Sequence, residues 1–457
     1  MDKPYVSVAR KYATDVLSGA TPACEWAKKA CQRQTDDLAR KDWQYKFDLK
    51  KAARVCAFIE KLPHIKGEWA KAHGRLLLEP WQIFILTTVF GWVSRETGLR
   101  RFRICYIEVP RKNGKSSISS GVALYCLTAD AEMGAEVYSA ATTRDQAKIV
   151  WQDAKSMVDR TAGLREAFGV ETTAHSIVKL GNGSLFKPLS AEGETLDGLN
   201  IHCAIVDELH AHPTRRVYDV LETGTGARSQ PLLWNITTAG SNRSGICYEV
   251  RGYGTKILDR VDFDETFFAI IYTTDEADDP WLEETWRKAN PNYGVSVKPD
   301  DMARLAAKAK SMPSAQNNFL TKRLSVWVNA DIALFSSAAW EACKDATLKE
   351  EDFAGEPCWV GIDLAPRHDF CAVVKVFKRD DEYFVFSEHY LSEIEIEESP
   401  NAQYPGWARS GWITTNPGNV TDYGAIEEDL EEDSQKYQLQ EVCYDKFSAH
   451  QFSTRMM

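Results

Sequence analysis

The segment Val109-Pro-Arg-Lys-Asn-Gly-Lys-Ser116 constrains this chain more than any other. It stands between a short apolar run, Arg103-Ile-Cys-Tyr-Ile-Glu-Val109, and a helical stretch from Ser116 to Ala129. A G-x-x-x-x-G-K-S/T loop in that strand-to-helix setting cradles nucleotide phosphates. The last three positions match here, and Val109 replaces the first glycine. Gly114 lets the backbone come close to the phosphates, and the first helical amides point at them. Lys115 is placed to reach the β- and γ-phosphates and Ser116 to hold Mg²⁺. Arg111, Lys112 and Asn113 complete the expected ATP-binding loop.

Such a loop needs a sheet around it. Glu136–Ala141, His202–Val206 and Pro231–Ile236 are further strand candidates, and a helix is expected from Thr143 to about Val158. Strands alternating with helices indicate a parallel sheet covered on both faces. The strand His202-Cys-Ala-Ile-Val206 ends in Asp207 and Glu208. Asp207 is expected to bind Mg²⁺ through a second shell, and Glu208 to orient and deprotonate the attacking water. Gln82, just before the first strand, is a candidate for the adenine edge; the plain alternative is an exposed helix glutamine. Thr237 and Thr238 follow the strand after Glu208, where small hydroxyl residues can sense the γ-phosphate and relay its loss.

The rest of the chain reads differently. Residues 5–72 carry apolar positions at helical spacing, as in Phe47 to Leu62, and residues 275–330 turn helical and polar. From Cys358 three strands follow, Cys358–Leu364, Phe370–Phe377 and Tyr383–Tyr390, the last two joined by the charged turn Lys378–Glu382; this is a β-meander. A net charge of −11 argues at first against nucleic acid. Residues 1–75, however, hold 16 Lys and Arg against 9 Asp and Glu, while the remainder holds 39 against 57. A local basic surface suffices for a transient grip on DNA, although such a run is equally well a solvated helical face. The 11 cysteines stand singly with no C-x-x-C pair, which indicates reduced thiols and no zinc site. There is no apolar run of 18 residues and no signal peptide at the start, so neither membrane nor export is expected.

Pro110–Ser116, Leu196-Asp-Gly-Leu-Asn200, Val206-Asp-Glu-Leu-His210, Thr237-Thr-Ala-Gly240, Ala289-Asn-Pro-Asn292, Val360-Gly-Ile-Asp363, Pro417-Gly-Asn-Val420 and Tyr444-Asp445 together resemble the large terminase subunits of tailed phages. The matches run in order from about residue 70 to the end. The resemblance implies an α/β protein: a RecA-like P-loop ATPase domain with a parallel sheet, then an RNase H-like nuclease domain. It implies that Arg111 helps to stabilise charge on the γ-phosphate, and that Arg144 lies where related motors place arginines for nucleotide or DNA. It makes Asp363, at the centre of the first meander strand, and Asp445 the carboxylates for two Mg²⁺ or Mn²⁺ ions. Asp369 and Glu388 are further meander acids not expected to be ligands.

The expected organisation is a basic helical region over 1–75, the ATPase core over 76–250, a helical subdomain and linker over 251–335, and the nuclease domain over 336–457. Only 12 residues follow Asp445, so the nuclease domain is expected to be cut short, without a third carboxylate and with impaired cleavage. The implied function is an ATP-driven motor that moves double-stranded DNA into a procapsid and cuts it. Its implied partners are double-stranded DNA, the portal protein, the small terminase subunit and further copies in a ring. The implied location is the cytoplasm of the infected bacterial host, outside the mature virion. A helicase or restriction-type translocase would need a second RecA-like domain, and a scaffold protein with a dead site would have no need of Lys115 and Glu208.

Overall fold

The computed structural model describes residues 5–72, 74–190, 198–329, 337–365, 369–399, 401, 403–445, 452 and 454–455. The chain forms two compact units, residues 1–337 and 338–457. The expected boundary at 335–336 lies outside the described residues, as do Leu196 and Asp197.

In the first unit, a small antiparallel ribbon joins β1 (Tyr45–Phe47) to β2 (Trp92–Ser94). The main sheet holds β3 (Ile104–Glu108), β4 (Glu136–Ala141), β5 (Val170–Thr172), β6 (Ile177–Lys179), β7 (Ser184–Ser190), β8 (Ile201–Asp207), β9 (Leu232–Thr237) and β10 (Phe267–Ile271). Their spatial order is β10-β3-β9-β8-β4-β7-β6-β5. The pairs from β10 through β7 are parallel, and β6 and β5 close one edge as an antiparallel pair. The central strands are apolar and buried over nearly their whole length, as a sheet covered on both faces requires. This is the expected RecA-like arrangement, and it brings the carboxyl ends of β3, β9 and β8 to one crevice, where open α/β sheets bind ligands.

Two features extend the ATPase unit beyond 76–250. The sheet runs on past residue 250 to β10, whose five apolar residues pair with β3. A short apolar run of that length cannot be told from a buried helix segment by periodicity alone. Before residue 76, the helices Tyr5–Ser18, Glu25–Ala39 and Leu49–Ile59 share the same core. Tyr12 Oη lies 3.1 Å from Tyr272 Oη, and Arg33 donates to the carbonyls of Phe267 and Asp264. Some of the basic surplus is therefore structural: Lys29 pairs with Asp259 and Arg40 with Glu265. A separate apolar cluster, with Trp286, Met302 and Phe319 at its centre, holds together the helices Glu283–Ala289, Pro299–Ser311 and Pro313–Leu324.

The second unit is a five-stranded sheet of β11 (Pro357–Asp363), β12 (Cys371–Arg379), β13 (Glu382–Ser392), β14 (Thr414–Asn416) and β15 (Gln438–Tyr444), in the order β14-β13-β12-β11-β15. β11 to β13 form the expected antiparallel meander, and β15 returns parallel to β11. The helix Tyr423–Lys436 packs Ile426 and Leu430 with Val360, Ile362 and Val373. On β11 the alternate residues Trp359 and Asp363 are exposed. No helix among the described residues is long and apolar enough to cross a membrane.

Candidate functional site

β3 ends at Glu108, and the chain turns sharply before the helix Lys115–Thr128. The turn needs left-handed backbone at Lys112 (φ 74°) and Gly114 (φ 82°). Glycine suits the left-handed position 114, where a Cβ would also stand 3.2 Å from Gln82 Nε2 and press on its amide. A cavity of about 580 Å³ opens above the loop, lined among others by Gln82, Arg111, Lys112, Lys115, Ser116 and Glu208. Lys115 is buried; its ammonium donates to the Val109 carbonyl at 3.2 Å and lies 3.6 Å from Glu208 Oε1.

Asp207 is the last residue of β8, and Glu208 follows in left-handed backbone (φ 53°), its N–H donating to Asp207 Oδ1 at 3.0 Å. Burial and the neighbouring Glu208 charge push the Asp207 carboxyl up to about 7. Burial also acts to raise Glu208, but the His210 contact and the Lys115 charge outweigh it and hold Glu208 well below the usual carboxylate range. Burial lowers the Lys115 ammonium, against the pull of Glu208 and Asp207.

His210 closes the Val206–His210 segment that carries part of the resemblance, but the sequence assigns it no role, and the structure brings it into this site. Its Nδ1 lies 3.2 Å from Glu208 Oε2 and 3.1 Å from Thr237 Oγ1, and its Nε2 lies 2.7 Å from Lys322 Nζ. An ammonium only donates, so Nε2 accepts and the ring proton sits on Nδ1, facing Glu208 and Thr237. Thr237 Oγ1 spends its own proton on the Thr238 carbonyl, and Thr238 Oγ1 donates to Glu208 Oε2 at 3.3 Å. The two threonines at the end of β9 thus hold the glutamate and its histidine in register.

The loop side chains divide in two directions. Arg111, Lys112, Lys115 and Ser116 border the cavity. Asn113 is fully buried and turns away: its Nδ2 donates to Asn290 Oδ1 at 2.9 Å, and its Oδ1 accepts from the Asn292 N–H at 3.0 Å. The Asn113 side chain thus braces the loop, and an ATP contact at this position would fall to its backbone. Asn292 is held in turn by Trp81, whose Nε1 donates to its Oδ1 at 2.6 Å, and Ser296 Oγ donates to the Lys112 carbonyl at 2.6 Å. The Asn290-Pro-Asn292 turn is thus a clamp on the phosphate loop. Gln82 is buried at the third position of the helix Pro80–Gly91, and not on an exposed face. Its Oε1 accepts from the Glu79 N–H at 3.0 Å, which leaves the amide nitrogen as the end that can meet a ligand. Arg144 opens the helix Arg144–Asp159.

In the second unit Asp363 ends β11 instead of lying at its centre. Ile362 pairs with Tyr444 in the parallel β11–β15 ladder, so Asp363 and Asp445 follow one step later on adjacent chains. Both line the same shallow groove, of about 380 Å³, with Gly361 and Ala372. Two carboxylates at one sheet end are a suitable donor set for a divalent cation. Glu388 lies elsewhere, paired with the buried Lys375 at 2.9 Å, and the exposed Asp369 accepts from the Phe370 N–H. Among the described residues, the one group of three or more His, Cys, Asp or Glu close enough to share an ion is Cys126, Asp130 and His202. There Arg100 lies 2.8 Å from Asp130 and already supplies the positive charge.

The comparisons with known proteins find both a nucleotide-hydrolysing and a nuclease domain of one family. The model for the terminase large subunit ATPase domain matches residues 80–256, and that for the terminase large subunit endonuclease domain matches residues 261–457. Protein YmfN of Escherichia coli K12 is 33% identical over 294 residues, covering 62% of this chain and 64% of that protein. The large terminase subunit of Enterobacteria phage HK97 is 29% identical over 413 residues, covering 88% of this chain and 78% of the phage protein. The crystal structure of the HK97 large terminase superposes with a TM-score of 0.53 at 27% identity, covering 88% and 82% of the two chains. The chain thus spans less than two thirds of the length of the Escherichia coli relative.

Proposed function

Since the chain belongs to the terminase large subunit family, carrying its ATPase and its endonuclease domain, we propose that it is an ATP-driven motor that moves double-stranded DNA into a procapsid and cuts it. The observation that carries this reading is the Lys115–Glu208 pair at 3.6 Å at the base of the loop cavity. Without nucleotide, the lysine and the carboxylate neutralise each other. The phosphates of ATP are stronger partners for Lys115. As Lys115 moves to them, Glu208 is left held by His210 and Thr238, with a carboxylate oxygen available for water.

Glu208 then orients that water and takes its proton as the water oxygen bonds to the γ-phosphorus. The bond from that phosphorus to the β–γ bridging oxygen breaks, giving ADP and inorganic phosphate. Arg111, beside the cavity, bears charge that develops on the transferred group. Ser116 and Asp207 would hold Mg²⁺, which neutralises phosphate charge. Gln82 offers an N–H to an acceptor on the bound nucleotide. Thr237 and Thr238, hydrogen-bonded around His210 and Glu208, would report the loss of the γ-phosphate.

In the second unit Asp363 and Asp445 would hold Mg²⁺ or Mn²⁺, which supplies an activated water and charge stabilisation for phosphodiester hydrolysis. The helicase or translocase reading needs a second RecA-like sheet, and the second unit is instead a mixed five-stranded one. The proposed partners are the DNA duplex, a portal ring, a small terminase subunit and further copies of this chain, in the cytoplasm of an infected bacterium. The test is ATP-dependent protection of linear DNA from added nuclease by this chain with procapsids. Protection that requires ATP and is lost in Lys115→Ala supports the motor; protection equal without ATP contradicts it.

A further inference from the structure

A second polar cavity, of about 590 Å³, lies on the other side of the catalytic wall. Arg111 borders both cavities. His210, on the wall of the second, lies 3.2 Å from Glu208, on the wall of the first. The second cavity is lined by Lys322, His212, Asn242 and Asn318 as well, and no carboxylate lines it among the described residues. In a chain of net charge −11, a space bordered by an arginine and a lysine, with no acid among the described residues, favours anions. His212 adds an independent sign of a ligand. It is 3% exposed, and its Nε2 is buried with no hydrogen-bond partner. A buried ring nitrogen left unsatisfied is costly, and a bound polar group would relieve that cost.

We propose that this cavity is an inorganic-phosphate site, through which the phosphate cut from ATP leaves while ADP still fills the nucleotide cavity. The inference rests on the ATPase reading above. After hydrolysis the new phosphate lies between Glu208 and Arg111, with ADP on one side. Glu208 passes the proton it took from water to the phosphate; its restored carboxylate then repels the anion while Arg111 and Lys322 attract it, and both favour movement into the second cavity. No bond is made or broken in this step; phosphate exchanges one set of donors for another. Asn242, Asn318 and the unpartnered His212 nitrogen offer polar groups to a tetrahedral anion. Burial and the neighbouring His210 lower His212 to about 4, so it meets the phosphate as a neutral ring.

The test separates chemistry from release. Quench-flow measures ATP cleavage and a fluorescent phosphate sensor measures free inorganic phosphate, both in a single turnover of the full chain. Asn318→Asp places a carboxylate in the cavity from the exposed side of its helix, and Asn318→Lys is the charge control. His212→Phe fills the space and removes the ring nitrogen. The expected result is unchanged cleavage with phosphate release slowed about tenfold in Asn318→Asp and in His212→Phe, and not in Asn318→Lys. Should His212→Phe fail to fold, the Asn318 pair decides. Cleavage with release unchanged in Asn318→Asp overturns the exit site and leaves the ATPase reading standing. Absence of cleavage in the parent chain overturns both. Weakened DNA binding in Asn318→Asp, with release unchanged, overturns the assignment in favour of a DNA phosphate.

Discussion

Replacing Asn113 with alanine separates a brace from a ligand contact. Its side chain joins the phosphate loop to the Asn290–Asn292 turn through Asn290 Oδ1 and the Asn292 N–H, and both partners are buried. Across the clamp the alanine would leave one acceptor and one donor unpaired, besides the Pro110 carbonyl within the loop. At about 1–3 kcal/mol for each buried group, the local cost is roughly 2–6 kcal/mol, with water entry favouring the lower end. The loop and the turn then open more often, and hydrogen exchange reports such local opening directly. Amide exchange over 109–116 and 289–297 in the nucleotide-free protein is expected to accelerate by about 30-fold or more, the equivalent of the lower bound at roughly 1.4 kcal/mol per tenfold. ATP affinity falls as a consequence, because the loop loses its preset shape. If exchange stayed at the parent rate while ATP affinity dropped, the side chain would be a ligand contact and the bracing argument would be wrong.

Lys115→Ala removes the positive partner of the phosphates, and nucleotide affinity measured by calorimetry should fall by about tenfold or more, against an unchanged affinity if the lysine serves only to pair with Glu208. His212, at about 4, binds its proton less readily in the folded chain than an ordinary histidine in the unfolded one, so stability is present above pH 6.5 and is lost as pH falls toward 4. The loss amounts to about 3 kcal/mol at roughly 1.4 kcal/mol per pH unit. Urea midpoints at neutral and acid pH should therefore differ less in His212→Phe than in the parent, and equal acid sensitivity would count against the shift. Asp363→Asn or Asp445→Asn should remove any metal-dependent plasmid cleavage that the parent chain shows and leave ATP turnover at the parent rate; parent-level cleavage that survives both changes would move the nuclease centre elsewhere.

What could be read from the sequence was whatever the chain states locally. The phosphate loop, the Asp207–Glu208 strand end and the meander are contiguous patterns, and each stands where its strand or turn was expected. The clamp on the loop is not local. Asn113 and Asn290 are 177 positions apart, and the asparagine turn reads as a turn from sequence whether or not it grips anything. The same holds for His210 and Lys322, which meet across 112 positions through a helix outside the sheet. For Gln82 the adenine-edge reading and the exposed-helix alternative stay open from sequence, because its helix is apolar all round and shows no polar face on which to place the glutamine. Asp363 and Asp445 were placed together by the resemblance; the parallel return of β15 beside β11 gives the physical reason.

The most direct test of the account is a comparison of ATP binding and hydrolysis in Glu208→Gln. The glutamine keeps the shape of the side chain but cannot accept the proton of the attacking water. Binding of a fluorescent ATP analogue should stay close to the parent value, while single-turnover hydrolysis should fall by about 10²- to 10⁴-fold, the usual cost of losing a general base. Hydrolysis at the parent rate with binding intact would contradict the assignment of Glu208, and with it the mechanism built on its exchange of partners with Lys115.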